Sequence, residues 1–562
     1  MVSLYRCPQR PWMKFLDELL NQEGYLCLDS LDLNACGDLA AALDGHAVAI
    51  VAAESLSQNE AESIARFIRS GGCAMLVQPP PSLIDALGLS VRQRPGATYA
   101  TAPVGYVQFA EHPWSALHAG VCIQCHVPVW LWRLDGVRPL ARVAICKDAA
   151  SPYEAIVEGP CGDGHVTIFW FDVGSSVVLT RQGNPNLASD GPEPDADGDG
   201  MFKAAGLFHT HLDYSLREVP QADVIADVIV AAIRGMTDSR LSLPRLWHLP
   251  ADAPALTLLD GDSDGFLWDN YDRLVSRCAA AKVAYTLNLL TEDLPKLGGR
   301  EPTRLFDSGN DVELHYWLGD VRATPADAAR FLPEQHRRFE EAIGRPSVGG
   351  RSHCGIWPGY TEMASILSEQ GCLMDTSFFA FRGCQWGYLN GSGRAARFMT
   401  GDGRLLQVRQ QGTQFMDDCI YSEKSLLPVM TADQAYQQVT RLYARAVERH
   451  HGAINTCIHA GEHHMRTYGD CQLALLQGVL DATAKYSLPA LSIRAWAGFL
   501  QARQKADLRY VDGKWQLHTD APISALTVHV PSAAGSRRNG LTWRAMTRDY
   551  GANETFNLDS ET

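Results

Sequence analysis

From residue 255 to residue 493 the chain repeats one pattern, a short apolar run followed by a stretch with helical spacing. Candidate strands cover 255–259, 284–289, 312–314, 347–349, 405–408, 453–458 and 490–493. Helical stretches at 269–281, 325–341, 361–370 and 432–450 lie between most of them. Parallel strands need a crossover, usually a helix, so this rhythm over about 250 residues predicts an α/β fold with a closed or nearly closed β/α barrel. In such a barrel the side chains at the carboxyl ends of the strands share one cavity. The run 255–259 leads directly into Asp260-Gly261-Asp262. Residues i and i+2 of a strand face the same side, so Asp260 and Asp262 are expected to face that cavity together, leaving Asp264 to cap the next helix. His315, Arg351, His353 and His459 also fall at or near strand ends. Two crowded carboxylates can divide the labour, one holding a metal and the other taking a proton, which is the inventory of a hydrolase.

The first part of the chain alternates as well. Residues 47–52 read as a buried strand, and Ser57 to Glu60 forms a capping-box pattern. Ile64, Phe67 and Ile68 mark a helix face, Gly71-Gly72 ends that helix, and 74–77 is the next strand. This predicts a parallel sheet with helices on both faces. From about 99 to 178 the texture changes to short strands, with a hairpin-like turn at Gly162-Asp163-Gly164. Residues 184–200 read as a loop, 222–234 as a helix and 236–254 as a linker. Turn and strand signals after 508 predict a small β appendage. The expected division is therefore 1–245, 246–503 and 504–562.

The net charge of −15 argues against a nucleic-acid or anionic-membrane partner, both of which call for clustered Lys and Arg. No apolar stretch approaches the roughly 20 residues of a spanning helix, and no signal-peptide pattern is visible at the start. Fifteen cysteines without framework spacing suit reduced thiols, so a cytoplasmic protein is expected. The extra domains allow a homo-oligomer.

The second block resembles the polysaccharide deacetylase (NodB-homology) family. The resemblance rests on 257–262 with its D-x-D, Val312-Glu313-Leu314-His315, Arg351-Ser352-His353 with Trp357, Asp375-Thr376-Ser377 with Asp417-Asp418, and Cys457-Ile458-His459. It implies a (β/α)7 barrel, a divalent metal (Zn, with Co, Ni or Mn as alternatives) and a carbohydrate or amino-sugar substrate. It further implies that Asp262 and His315 ligate the metal and that Asp260 is the general base. Arg351 would tune Asp260, and His459 would protonate the leaving group. The residue four after His315 is Gly319, where the family has a second histidine, so either Asp320 or His353 substitutes or the site is weakened or lost. The first block resembles the class I glutamine-amidotransferase-like fold in its non-catalytic form, a flavodoxin-like doubly wound sheet, on 71–77 and Gly164 to Asp172. Cys73 precedes its strand and is not read as a nucleophile. The expected activity is hydrolysis of an acetyl amide, or an acetate ester, on an amino-sugar-containing carbohydrate. The alternatives are a catalytically silent carbohydrate-binding scaffold and a metal-free C–N amide hydrolase on the same barrel.

Other features have plainer readings. Asp417 and Asp418 are expected to be structural, and Glu462-His463-His464 to lie in a solvated loop, with an extension of the metal site as the alternative. Cys122 to His126 matches a haem-attachment pattern but reads as strand. Asp195, Asp197 and Asp199 imitate an EF-hand without its Glu and read as an acidic loop. His209-Thr210-His211 with Asp213 reads as a surface turn. Trp170, Trp247 and Trp268 are expected in the core, with sugar stacking as the alternative.

Overall fold

A computed structural model describes residues 1–93, 98–99, 105–146, 149–189, 200–237, 241–298, 302–319, 322–380, 384–421, 427–538 and 540–558. Asp320, most of the loop 184–200 and the acidic run at 195–199 lie outside the described residues.

The chain is α/β, with two large sheets. In the first, the strands Asp29–Asp32, Val2–Arg6, Val48–Ala53, Cys73–Val77 and Gly164–Phe169 lie side by side and parallel. The helix Gln58–Arg69 is opened by the reciprocal Ser57/Glu60 capping box, and it buries Ile64 and Ile68. The expected parallel pairing covers only this half. The strands Ala149–Cys161, Arg138–Cys146, Gly105–Phe109 and Cys122–Cys125 extend the sheet antiparallel. The short turn at Gly162-Asp163 is the reason, since two residues can join only antiparallel neighbours.

The second sheet is parallel from Leu405–Gln410 through Met374–Asp375, Gly349–Ser352, Asp311–Tyr316, Thr286–Leu290, Leu256–Asp262 and Ala453–Cys457 to Phe415–Met416. Its two ends are successive pieces of one chain segment. Arg409 and Gln410 pair with Met374 and Asp375, while Phe415 and Met416 pair with Thr456 and Cys457. The sheet therefore curls back on itself, and the carboxyl ends of its strands gather at one mouth. Gly261 lets the central strand pass, because a Cβ there would meet the Ile458 carbonyl at 1.8 Å and the Tyr285 hydroxyl at 2.0 Å. The strand Met374–Asp375 has no counterpart among the expected strands. The expected strand 490–493 shortens to Ala490–Leu491, and Ile493 already begins the helix Ile493–Gln504.

Of the expected linker 236–254, residues 241–254 pack into the fold. The strand Arg245–Leu246 pairs with the carboxyl-terminal strand Ile523–Arg538, and Trp247 is fully buried with its indole N–H donating to the Ala253 carbonyl. The expected boundary at 245/246 falls inside that strand. The carboxyl-terminal strands are β structure as expected, with Ala506–Val511 and Lys514–Thr519 turning at Asp512-Gly513. Leu508, Leu526 and Trp543 join the hydrophobic core of the first block. No helix among the described residues is long and apolar enough to cross a membrane.

Candidate functional site

The barrel mouth collects Asp260, Asp262, His315, Arg351, His353 and His459, and it adds Asp264. Asp260 ends up below the others. It is fully buried, and its two oxygens accept from one nitrogen of the Arg351 guanidinium at 3.0 and 2.9 Å. The same guanidinium donates to Asp262 Oδ1 at 2.9 Å, to Thr413 Oγ1 at 2.9 Å and to the Thr376 carbonyl at 3.2 Å. Burial pushes the Asp260 carboxyl up from its ordinary value despite Arg351. Asp260 makes no ion pair with an imidazole among the described residues.

Asp262 stands at the rim of that buried pair. Its Oδ1 accepts from Arg351 and from the Asn288 amide at 2.9 Å, while Oδ2 faces His315 Nε2 at 3.7 Å and His459 Nε2 at 3.8 Å. Burial pushes Asp262 up, but Arg351 and the two imidazoles outweigh it and hold the carboxyl below its usual range. The i, i+2 alternation places Asp260 and Asp262 on one side, as strand geometry requires, yet their depths differ, and the deeper carboxylate is consumed by Arg351.

Asp264 lies among three imidazoles. Its Oδ1 is 3.4 Å from His315 Nε2 and 3.7 Å from His353 Nε2, and its Oδ2 is 3.4 Å from His459 Nε2. It does not cap the helix Trp268–Ala280, whose N-cap is Leu267. The backbone at Asp264 turns through a positive φ of 29°, followed by Gly265 at 89°. Asp293 fixes that turn, with Oδ2 accepting from Ser263 Oγ at 2.6 Å and from the Gly265 N–H at 3.2 Å. A strand-alternation argument stops at Asp262, where the strand ends, and could not foresee a carboxylate turned back by a left-handed residue.

His315 and Arg351 are register partners on adjacent strands, which brings His353 to the side of His315 with ring centroids 5.3 Å apart. Gly319 carries no side chain, and His353, just after the adjacent strand Gly349–Ser352, stands beside His315. The His315 Nδ1–H donates to the Arg351 carbonyl at 2.9 Å, which directs Nε2 into the mouth. Nε2 of His315 and Oδ1 of Asp264 are buried with no hydrogen-bond partner. Asp264, His315 and His353 offer ligand atoms within 4.8 Å of one another. Asp262 stands outside that group, although it belongs to another with Cys457 and His459.

His459 is held from behind. Its Nδ1 is 2.5 Å from Asp417 Oδ1, and its backbone N–H donates to Asp417 Oδ2 at 2.9 Å. Gln472 also donates to Asp417. Burial pulls His459 down, but Asp417 and Asp264 outweigh it and hold the imidazole well above its usual range, while Asp417 itself is lowered to about 2. Asp417 is thus more than a fold residue, since it orients His459. Glu462-His463-His464 is not a loop either. It opens the helix Glu462–Lys485, and His464 stacks on His459 with centroids 3.9 Å apart. By contrast, Asp375 is a buried turn residue whose oxygens accept from the N–H and hydroxyl of Ser377, and burial raises it to about 7. Trp357 is buried between Phe378 and Phe398. Trp170 and Trp247 are core residues, and Trp268 is half-buried against Phe266. The Cys122 and Cys125 thiols are buried on their strand, and His211 is buried against His126 rather than lying on a surface turn.

No protein-family model matches the chain, and no curated protein does. Among solved structures, it is similar over its whole length to Agd3, a novel carbohydrate deacetylase, at 9% identity with 100% of this chain and 98% of that one covered and a TM-score of 0.43. A family 4 carbohydrate esterase from Streptomyces lividans in complex with acetate is similar over 43% of this chain and 93% of its own, at 12% identity and a TM-score of 0.27. The polysaccharide deacetylase Bc1974 from Bacillus cereus is similar over 42% and 91%, at 13% identity and a TM-score of 0.26. These likenesses are distant, and the chemistry of the mouth stands on its own side chains.

Proposed function

We propose that this protein is a metal-dependent hydrolase on a NodB-like (β/α)7 barrel that removes the acetyl group from the nitrogen of an amino-sugar unit. The observation that carries the reading is the buried pair of His315 Nε2 and Asp264 Oδ1, 3.4 Å apart with neither atom in a hydrogen bond, with His353 beside them. Two imidazoles and one carboxylate suit Zn, Co, Ni or Mn, and the bond that His315 Nδ1–H donates to the Arg351 carbonyl fixes the ring as such ligands need. Asp264, His315 and His353 would hold the ion, which when bound polarises an acyl carbonyl and lowers the pKa of a water.

The residues divide the remaining work by their surroundings. Asp262 keeps one oxygen free of Arg351 and Asn288 and stays ionised, so it accepts the proton of the attacking water. Asp260 serves as the anion that fixes Arg351, and with its oxygens engaged it is not the base. His459, protonated and aligned by Asp417, presents Nε2 to the mouth and delivers a proton to the departing nitrogen. Water oxygen adds to the acyl carbon, the C–N bond breaks, and acetate and a free amine leave. Asp264 and His353 are the less buried members, so substrate enters from their side.

The test is acetate release from N-acetylated amino-sugar oligomers by the Zn-reconstituted protein. The Asp262→Asn variant should keep its metal and lose about 10² to 10⁴-fold in turnover, the usual cost of removing a base. Full turnover in that variant contradicts the role of Asp262, and no acetate release by the wild-type protein contradicts the reaction.

A further inference from the structure

A cavity of about 620 Å³ opens in the first block, far from the barrel mouth in sequence. It lies at the carboxyl ends of the four parallel strands Val2–Arg6, Val48–Ala53, Cys73–Val77 and Gly164–Phe169, whose following residues supply Arg10, Glu54, Gln78 and Asp172 to its wall. Crevices at the carboxyl ends of parallel strands are where open α/β sheets bind ligands.

Gln78 occupies the sharp turn between the strand Cys73–Val77 and the helix Pro81–Leu87, with a positive φ of 40°. Such strain in a non-glycine residue is held by its surroundings. The Gln78 amide donates to the Pro128 carbonyl at 3.0 Å, and its oxygen accepts from Arg10. A strand-to-helix elbow of this kind can present a nucleophile. Here it presents an amide, which cannot attack. The neighbouring Cys7 is buried, and its thiol is pushed up to about 11, so it offers no thiolate at neutral pH. The cavity is built to bind rather than to react.

Its wall describes the ligand. Trp12 and Trp130 are half-buried and contribute aromatic surface, the usual partner of a pyranose face. Around them stand two carboxylates and one guanidinium. Asp172 is almost fully buried, and its oxygens accept from the Ser175 N–H at 3.0 Å and hydroxyl at 2.6 Å. Glu54 accepts from the Gln9 N–H at 3.2 Å and lies 3.6 Å from Arg10. The excess of carboxylate favours a cation, and the amide and hydroxyl groups suit ring hydroxyls.

We propose that this cavity binds an amino-sugar unit carrying its free amine, the product class of the reaction assigned to the barrel. The identity of the ligand rests on that assignment, whereas the site itself rests on the cavity.

The experiment is calorimetric titration of the full chain carrying Asp264→Ala, which disables the barrel. The probes are a β-1,4-linked glucosamine tetramer, its fully N-acetylated counterpart and cellotetraose. The glucosamine tetramer is expected to bind at least about tenfold more tightly than either of the others. Adding Trp130→Ala or Glu54→Gln is expected to weaken it by about tenfold or more without shifting the melting midpoint. Equal binding of the three tetramers, binding unmoved by Glu54→Gln, or no binding of the glucosamine tetramer overturns the proposal. Glu54→Gln decides alone if Trp130→Ala does not fold. Because the titration uses a protein that does not turn over, a barrel without hydrolase activity leaves its result readable.

Discussion

Four carboxylates at the barrel mouth look alike in sequence and differ in what surrounds them. Asp260 faces only Arg351 and polar neighbours, Asp262 shares Arg351 and keeps an oxygen free, Asp264 faces imidazoles, and Asp417 lies behind His459. A consequence separates Asp260 from Asp262. Asp260→Asn leaves a buried guanidinium short of a counter-charge, so chemical denaturation should show a loss of about 3 to 5 kcal/mol. Asp262→Asn acts chiefly on turnover. If Asp260→Asn is as stable as the wild type and loses only catalysis, the roles are reversed. The strand period was enough to find the Asp260/Asp262 pair, and adjacency of two strand ends was enough to suspect His353. Asp264 was missed because its position depends on a positive φ and on Asp293 some thirty residues away, neither of which leaves a local pattern. Asp417 was undervalued because its partner His459 comes from another strand, and residues paired across a closing barrel share no sequence spacing.

At the level of elements, regular periodicity carried well and irregular geometry did not. The helices expected at 325 and 432 start there, each opened by a capping box, at Thr324 and at Thr431. The strand Met374–Asp375 is two residues long and has no alternation to detect, and the helix Glu462–Lys485 begins with polar residues that read as solvent-facing. The packing of the central strand gives a sharper test. Gly261 touches the Ile458 backbone and the Tyr285 hydroxyl, which donates to the Ile458 carbonyl at 2.8 Å. Gly261→Ala should therefore cost about 1 to 3 kcal/mol in urea unfolding by overpacking, and it should disturb the mouth, since Ile458 directly precedes His459. A variant as stable as the wild type would mean that the two strands are not in this close contact.

Across the whole molecule, the first block and the barrel are joined by buried charge. Arg394 donates to Glu23 at 2.7 Å and to Asp227 at 2.8 Å, Arg245 donates to Glu23 at 2.9 Å, and His118 meets Asp227 at 3.0 Å. Arg503 donates to the Asn21 and Gln22 carbonyls at the end of the helix Phe15–Gln22. These contacts lie between segments more than a hundred residues apart, so composition alone suggested separable domains and a linker where the structure has a seam. Burial pushes Asp227 up, but Arg394 and His118 outweigh it and bring it down to about 2. A carboxyl depressed in the folded state stabilises above its unfolded pKa of about 4, and that contribution is lost as pH falls towards 2. Asp227→Asn should lose about 3 to 5 kcal/mol at pH 7 and show a shallower loss between about pH 4 and 2.5 than the wild type. An unchanged acid slope in urea titrations would remove Asp227 from the seam's pH dependence.

Whether Asp264, His315 and His353 hold an ion decides the chemistry of the mouth. Metal analysis after reconstitution with Zn and desalting addresses this directly, comparing the wild type with Asp264→Ala and His353→Ala. About one equivalent in the wild type and less than about 0.2 in each variant is the expected result, because a three-ligand site loses most of its affinity with one ligand. A wild-type protein without metal, or variants that retain the full equivalent, would contradict it.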